Sequence, residues 1–179
     1  MLFLLFFFVI GSIFCGENFV SLKCGDNEIF DDQQTQFYSF NEEITEGSIE
    51  FTGHVEQTKD NSSIIYLYRG IGDALSIHRN VTLMVHFKPN QDTRFYYMNL
   101  NNRDWSNGTR TNSCPMTPGE HSVKIIFYQN RYEIRVDDYY LKGFQRVVDA
   151  GYYLKAAAVR GDFRPSKINL QCQPPKKRN

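Results

Sequence analysis

Residues 81–87 read VTLMVHF. Every second residue from Val81 to Phe87 is apolar, whereas His86 falls on one of the alternate positions. Successive side chains of a β-strand point to opposite faces. The pattern therefore predicts a strand whose odd-numbered residues face a hydrophobic core, with His86 turned away from it.

Segments rich in Ile, Val, Tyr and Phe recur through the chain at the spacing of short strands. They are residues 63–68, 93–100, 121–128 and 132–136. Gly and Pro mark the turns, and no stretch shows the periodicity of a helix of ordinary length. These features favour an all-β fold, an antiparallel sandwich of two sheets in a jelly-roll arrangement.

The composition fits one domain with a substantial core. The chain has 179 residues, of which 41% are hydrophobic and 15% aromatic, and its 20 basic and 20 acidic residues cancel. Nucleic acid binding needs accumulated Lys and Arg, so no nucleic acid partner is expected. The basic end, residues 173–179, is expected to be a solvated tail.

The first residues form an apolar leader. Residues 2–15 are almost unbroken in apolar character and are followed by Glu17 and Asn18. Because the run is too short to span a bilayer comfortably, it predicts a signal peptide over residues 1–16 and a secreted, extracellular protein with no membrane span after cleavage. The alternative is an N-terminal anchor helix. Residues 17–36 are expected to form an extension before the domain.

A row of polar side chains begins at His86. Lys88 and Asn90 follow it at two-residue steps, so the three share one face of the predicted strand. Three more candidates follow: Asn99, Trp105 and Arg110. Such a row suits a flat, polyhydroxylated ligand held by several hydrogen bonds, with Trp105 covering its apolar side.

The same stretch resembles the binding motif of the galectins. Family members read His-x-Asn-x-Arg, an Asn on the next strand, and then Trp-Gly-x-Glu-x-Arg; here residues 86–90 read HFKPN and residues 105–110 read WSNGTR. Residues 161–163 match the closing Gly-Asp-Phe of the family. The resemblance implies a concanavalin-like sandwich, a carbohydrate-recognition domain over residues 37–172, and glycan binding without a metal, a cofactor or catalysis.

Three departures alter that motif. Lys88 stands where the family has Asn, Asn90 where it has Arg, and Gly108 where it has Glu. An ammonium cannot reproduce the two parallel hydrogen bonds of a guanidinium fork, so a galactoside preference does not carry over. The expected partners are glycans or glycoproteins, with β-galactosides as one candidate class. The alternative is a galectin-fold extracellular interaction protein that has lost carbohydrate binding.

Cysteines and glycosylation sequons fit the secretory pathway. With Cys15 at or beyond the cleavage site, Cys24, Cys114 and Cys172 remain, and one must be unpaired. Cys24 and Cys172 lie on either side of the galectin-like region. The resemblance implies that the first and last strands are neighbours, and therefore that these two cysteines form a disulfide. If the chain has no leader, the alternative is three reduced cysteines. Three Asn-x-Ser/Thr sequons predict N-glycosylation at Asn61, Asn80 and Asn107.

The motifs of common enzyme classes are missing from the sequence. The four histidines form no His-x-x-x-His pair, and neither a zinc-ligand spacing, a Gly-x-Ser-x-Gly elbow nor a phosphate-binding glycine loop is present. A sandwich glycosidase would need two carboxylates facing each other across a cleft, and the polar row contains none. The chain is therefore not expected to be an enzyme.

Overall fold

The computed structural model describes residues 18–29, 36–56, 62–69, 81–88, 91–99, 104–105, 108–128, 130–145 and 153–173. Within these ranges the regular elements are all β-strands. No helix in this part of the chain has the length and hydropathy needed to cross a bilayer.

The strands form two sheets. The eight-stranded sheet contains, in spatial order, β1 (Asn18–Leu22), β3 (Gln36–Ile44), β13 (Leu154–Gly161), β5 (Ser63–Tyr68), β6 (Val81–Phe87), β7 (Thr93–Asn99) and β8 (Asp104–Trp105), and β9 (Thr109–Thr111) also pairs with β7. The six-stranded sheet contains β12 (Tyr139–Gln145), β11 (Arg131–Val136), β10 (Gly119–Phe127), β4 (Gly47–Val55), β14 (Phe163–Cys172) and β2 (Asn27–Ile29). Apart from the parallel pair β1–β3, neighbouring strands are antiparallel. The predicted antiparallel sandwich is confirmed.

One hydrophobic core fills the space between the sheets. Alternate residues of both sheets contribute to it and are fully buried: Ile49, Phe51, Ile125 and Phe127 from the six-stranded sheet, and Leu67, Leu83, Val85, Phe87 and Phe95 from the eight-stranded sheet. The residues between them, His86 among them, face outward. Burial of each large apolar side chain contributes about 1.5–3 kcal/mol to folding.

Val81 departs from the simple alternation. It packs in a second apolar cluster with Phe37, Tyr68, Ala156 and Ala158, apart from the main core. The cause is an irregularity in the pairing of β5 with β6, where Leu67 pairs with Leu83 but Tyr68 pairs with Val81. One extra residue in a strand moves the following side chain to the other face. The prediction that Val81 shares a core with Leu83 is therefore wrong.

The segment before residue 37 contributes to both sheets. Asn18–Leu22 pairs with β3 at one edge of the eight-stranded sheet, and Asn27–Ile29 pairs with β14 at one edge of the six-stranded sheet. Between these strands, Cys24 forms a disulfide with Cys172, the last residue of β14. The predicted bridge is present, and Cys114 carries a free, half-buried thiol.

Candidate functional site

His86 lies near the end of β6, on the outer face of the eight-stranded sheet. Its cross-strand neighbours are Ile64 of β5 and Arg94 of β7. Desolvation lowers the pKa of His86 below its usual value, Lys88 and Arg94 lower it further by charge repulsion, and Asp92 acts in the opposite direction. The imidazole is therefore neutral at pH 7, and one of its ring nitrogens accepts hydrogen bonds.

The Nε2 atom of His86 is shielded from solvent and has no hydrogen-bond partner among the described residues. A buried polar atom without a partner costs free energy, so folding alone does not explain the position of this atom. His86 is in this respect the most conspicuous group on this face.

A pH dependence of stability follows from His86. Because its folded-state pKa lies below the unfolded value near 6.5, the unfolded chain binds the proton more readily, and stability falls as the pH drops from about 6.5 towards the folded-state pKa. We expect His86→Gln to lose less unfolding free energy than the wild type between pH 7.5 and pH 5.5, measured by urea denaturation. Parallel pH profiles for the two proteins would contradict this assignment.

Two arginines lie side by side next to His86. Arg94 of β7 pairs directly with Arg110 of β9, so both guanidinium groups extend from the same face. The Nε of Arg94 donates to the two carboxylate oxygens of Asp92 at 3.0 and 3.2 Å. Arg110 is exposed and forms no ion pair with any described residue. Like charges directly opposite each other on neighbouring strands destabilise a sheet, so folding alone does not explain this pair.

An open cavity of about 250 Å³ lies at this pair. Its lining comprises Arg94, Tyr96, Gly108, Thr109 and Arg110. Gly108 has φ +70°, and a Cβ added there would lie 2.9 Å from Cε1 of Tyr96. The galectin motif has Glu at this position, and here the ring of Tyr96 lies against the glycine. The cavity therefore combines two cationic side chains with an aromatic side chain.

Lys88 lies in the turn that follows β6. Its backbone N–H donates to the carbonyl of Asp92 at 3.0 Å, and its carbonyl accepts from the N–H of Gln91 at 3.1 Å. The turn fixes Lys88 next to His86, close enough for its charge to lower the pKa of the imidazole. Asn90 lies outside the described residues.

The structure describes the other predicted site residues only in part. Asn99 pairs with Asp104, and Trp105 with Met98, where β7 meets β8; for Asn99 and Trp105 the description extends to the backbone only. The three sequon asparagines lie outside the described residues: Asn61, Asn80 and Asn107. Their roles remain predictions.

The structure adds three residues to the candidate site that the sequence did not single out. Arg94 and Tyr96 line the cavity, and Arg160 of β13 lies with its guanidinium carbon 5.9 Å from the centre of the Tyr66 ring on the same outer face. The alternation in residues 93–100 carried a signal for Arg94 and Tyr96, since both alternate with the buried Thr93 and Phe95. Arg160 carried no such signal, because its closeness to His86 depends on strand order.

Solved galectin structures from a nematode, sheep and human are similar to this chain in architecture. The chain is similar to Caenorhabditis elegans galectin LEC-6, with a TM-score of 0.64, 9% identity, and coverage of 81% of this chain and 95% of that chain. For sheep galectin-11 in complex with glycerol the TM-score is 0.61 at 12% identity, and the match covers 79% of this chain and 98% of that chain. For a double variant of human galectin-16 the TM-score is 0.62 at 12% identity, and the match covers 82% of this chain and 99% of that chain. At these identities the likeness shows the fold alone.

The two packed sheets form the same β-sandwich as these galectin structures. The sequence profile of the galactoside-binding lectins matches residues 20–170. The chain therefore belongs to the galectin family, a family of carbohydrate-binding lectins and not of enzymes. No curated protein matches the chain by sequence.

Proposed function

We propose that this chain is a secreted lectin that binds glycans non-covalently on the outer face of the eight-stranded sheet. The observation that carries the proposal is the open cavity at Arg94, Tyr96 and Arg110, next to the unpartnered Nε2 of His86. Guanidinium groups donate to sugar oxygens, and a neutral imidazole accepts from a sugar hydroxyl. One face thus offers donors and an acceptor for a polyhydroxylated ligand.

Trp105 supplies the apolar contact in this proposal. Its partner Met98 lies an even number of residues from Arg94 and Tyr96 along β7, and cross-strand partners share a face of a sheet. This register supports stacking of Trp105 on a sugar ring beside the cavity. Asn99 lies an odd number of residues from Arg94 along β7, so it belongs to the opposite face in that alternation. The proposal therefore rests mainly on His86 and Trp105. The residues proposed to shape the subsite are Lys88, Asn90 and Arg110.

The preferred sugar is proposed to differ from a simple β-galactoside. The Arg and Glu of the family motif are replaced by Asn90 and Gly108, and Tyr96 lies against Gly108. A hydrogen bond lost to a bound sugar costs about 1 kcal/mol, which is about fivefold in affinity. Two such losses would weaken galactose binding about 25-fold relative to the complete family motif.

Secretion is supported by the apolar leader and by the disulfide. A Cys24–Cys172 bridge is stable in an oxidising compartment and rare in the cytosol. N-glycosylation at Asn61, Asn80 and Asn107 belongs to the same proposal.

A second candidate function is extracellular protein binding without sugar recognition. Tyr139 and Tyr140 of β12 are 81% and 63% exposed at an edge of the six-stranded sheet, away from the cavity. Exposed aromatic side chains are enriched at protein interfaces. This surface would serve a galectin-fold protein that had lost its glycan site.

A glycan array probed with the secreted protein separates the two candidates. The lectin is expected to give signals that soluble competing sugar removes, and Trp105→Ala is expected to abolish them while the unfolding midpoint stays unchanged. Tyr139→Ala, an aromatic truncation on the other sheet, is the matched control and should retain binding. Retention of the best glycan by Trp105→Ala, or loss of binding in Tyr139→Ala alone, would count against the proposed site.

A further inference from the structure

Among the described residues, cations outnumber carboxylates along one register row on the outer face of the eight-stranded sheet. One register row crosses five strands in the order Arg160, Ile64, His86, Arg94 and Arg110. At about 4.8 Å per strand the row is about 19 Å long. Lys88 adds a fourth cation beside His86, and the carboxylate of Asp92 lies against Arg94.

The outer face of the six-stranded sheet is arranged differently. Three of its cations are paired with carboxylates at short distances: Lys124 with Glu50 at 3.2 Å, Arg135 with Glu133 at 2.6 Å and Arg164 with Glu56 at 2.7 Å. The whole chain has a formal net charge of zero. The positive charge along the register row is therefore offset by carboxylates elsewhere in the chain.

The cations of this face that lack an ion pair among the described residues lie at the cavity and beside His86. Arg110 lines it, and neither Arg110 nor Lys88 forms an ion pair within the described part of the chain. Arg94 lies directly opposite Arg110 and has Asp92 as its own carboxylate partner. An anion seated between the two guanidinium groups would offset their repulsion, because planar guanidinium groups bind carboxylate and sulfate oxygens in pairs of hydrogen bonds.

We propose that this face selects glycans bearing an anionic group, a sulfate or a carboxylate, over neutral glycans with the same sugar backbone. The inference rests on the proposed function and narrows its ligand class. The anionic group occupies the cavity between Arg94 and Arg110, Lys88 contributes a further cation, and the neutral His86 accepts a hydroxyl of the adjoining sugar. Asp92 holds Arg94 in position at the floor of the site.

Isothermal titration calorimetry with three ligands on one backbone tests this selection. The ligands are lactose, the same disaccharide carrying a sulfate, and the same disaccharide carrying sialic acid, measured with the secreted protein. A charge-assisted hydrogen bond that the neutral sugar lacks predicts that at least one anionic ligand binds about tenfold tighter. The sulfate and sialic acid arms show which anion the cavity takes. The preference is expected to shrink between 50 and 500 mM NaCl because salt screens exposed charges.

Two double variants with the same change in net charge provide the control. Lys88→Gln/Arg110→Gln removes the two unpaired cations at the cavity, and the preference for the anionic ligand is expected to disappear. Arg131→Gln/Lys167→Gln removes two cations from the six-stranded sheet, and the preference is expected to persist. Equal loss in both variants would show a general charge effect and overturn the inference.

The outcomes separate this inference from the proposed function. Binding of neutral and anionic ligands with equal affinity overturns the anion selection and leaves the lectin proposal standing. No binding on an array that spans neutral, sulfated and sialylated glycans overturns the lectin proposal itself. Polyglutamate is a polyanion without a sugar. If it binds as tightly as the sulfated ligand when affinities are compared per charge, the proposed selection of anionic glycans is overturned, because the face would then attract any anion without recognising the sugar.

Discussion

Replacing Cys24 and Cys172 together by serine is expected to lower the free energy of unfolding by about 4 kcal/mol. The bridge joins residues 148 apart in sequence, and it therefore closes a loop that contains nearly the whole domain. Without it the unfolded chain gains the entropy of that loop, for which the chain-entropy model gives about 5 kcal/mol. Measured losses usually fall below the model because the unfolded chain retains some structure.

The position of the bridge adds a local effect. Cys24 lies between β1 and β2, two short edge strands that belong to different sheets. Edge strands have a neighbour on one side only, so they open more readily than central strands. Removing the bridge is therefore expected to reduce hydrogen-exchange protection in Asn18–Leu22 more than in β10, which lies inside its sheet.

Chemical denaturation at equilibrium measures this effect. The matched control is Cys114→Ser, which removes the free thiol and leaves the bridge intact; Cys114 is half-buried against the core and its loss is expected to cost about 1 kcal/mol. A reductant is expected to bring the wild type to the stability of the double serine variant. If the double variant and Cys114→Ser unfold with the same free energy, the bridge does not stabilise the fold as proposed.

Substitution of Gly161 by alanine is expected to cost about 3 kcal/mol of unfolding free energy. Gly161 ends β13, and the chain then passes from the eight-stranded sheet into β14 of the six-stranded sheet. Its φ of +95° is unfavourable for an L-residue, and an added Cβ would lie 2.0 Å from the carbonyl oxygen of Ser62. The obstructing atom belongs to the backbone, so relief requires the strand itself to move.

The surrounding hydrogen bonds leave little room for that movement. The N–H of Asp162 donates to the carbonyl of Ser62 at 3.0 Å, and the N–H of Phe163 donates to Oγ of Ser63 at 2.9 Å. A shift of β5 away from Gly161 would break both bonds. This is the physical basis of the glycine at position 161.

Gly119→Ala separates the two causes of the expected loss. Gly119 also has a positive φ, +135°, but an added Cβ there has no atom within 4 Å. Its substitution therefore reports backbone strain alone, about 1 kcal/mol, whereas Gly161→Ala reports strain and collision together. Urea denaturation of both variants measures the difference. Equal losses at the two positions would show that the contact with Ser62 is readily relieved.

The strands that were predictable are those with a buried and a solvent face. Residues 63–68 and 121–128 are rich in β-branched and aromatic residues, and residues 132–136 alternate apolar and polar residues. The three segments correspond to β5, β10 and β11. β13 has apolar neighbours on both faces, with Ala157 in the main core and Ala156 and Ala158 in the second cluster, so it shows no alternation. Alanine also has a weak preference for strands, which further hides this element.

The short edge strands were hidden for a different reason. Residues 17–36 were expected to precede the domain because they are polar, and all three residues of Asn27–Ile29 are exposed. Their strand conformation comes from backbone pairing with β14 and not from burial. Local sequence carries little information on such pairing, because the partner lies far along the chain.

The candidate site also contains some residues that the sequence predicts and others that depend on how the strands pair. His86, Lys88 and Arg110 follow from the spacing of one continuous stretch, and the structure describes them on or beside the same face. The partners Arg94 and Arg160 depend on which strands become neighbours, and the aromatic contact of Tyr96 with Gly108 depends on the register of β7 against β9. The sequence therefore indicated a polar row, whereas its positive charge emerged only from the sheet order.

The parallel strand β1 has a consequence for behaviour at high concentration. It covers the first five residues of the nine-residue β3, from Gln36 to Phe40, and so replaces a long sheet edge by a short one. Long uncovered edges recruit strands from other molecules and begin aggregation. A chain trimmed past Leu22 would regain that long edge, so β1 protects the solubility of the protein while the cavity is built four and more strands away.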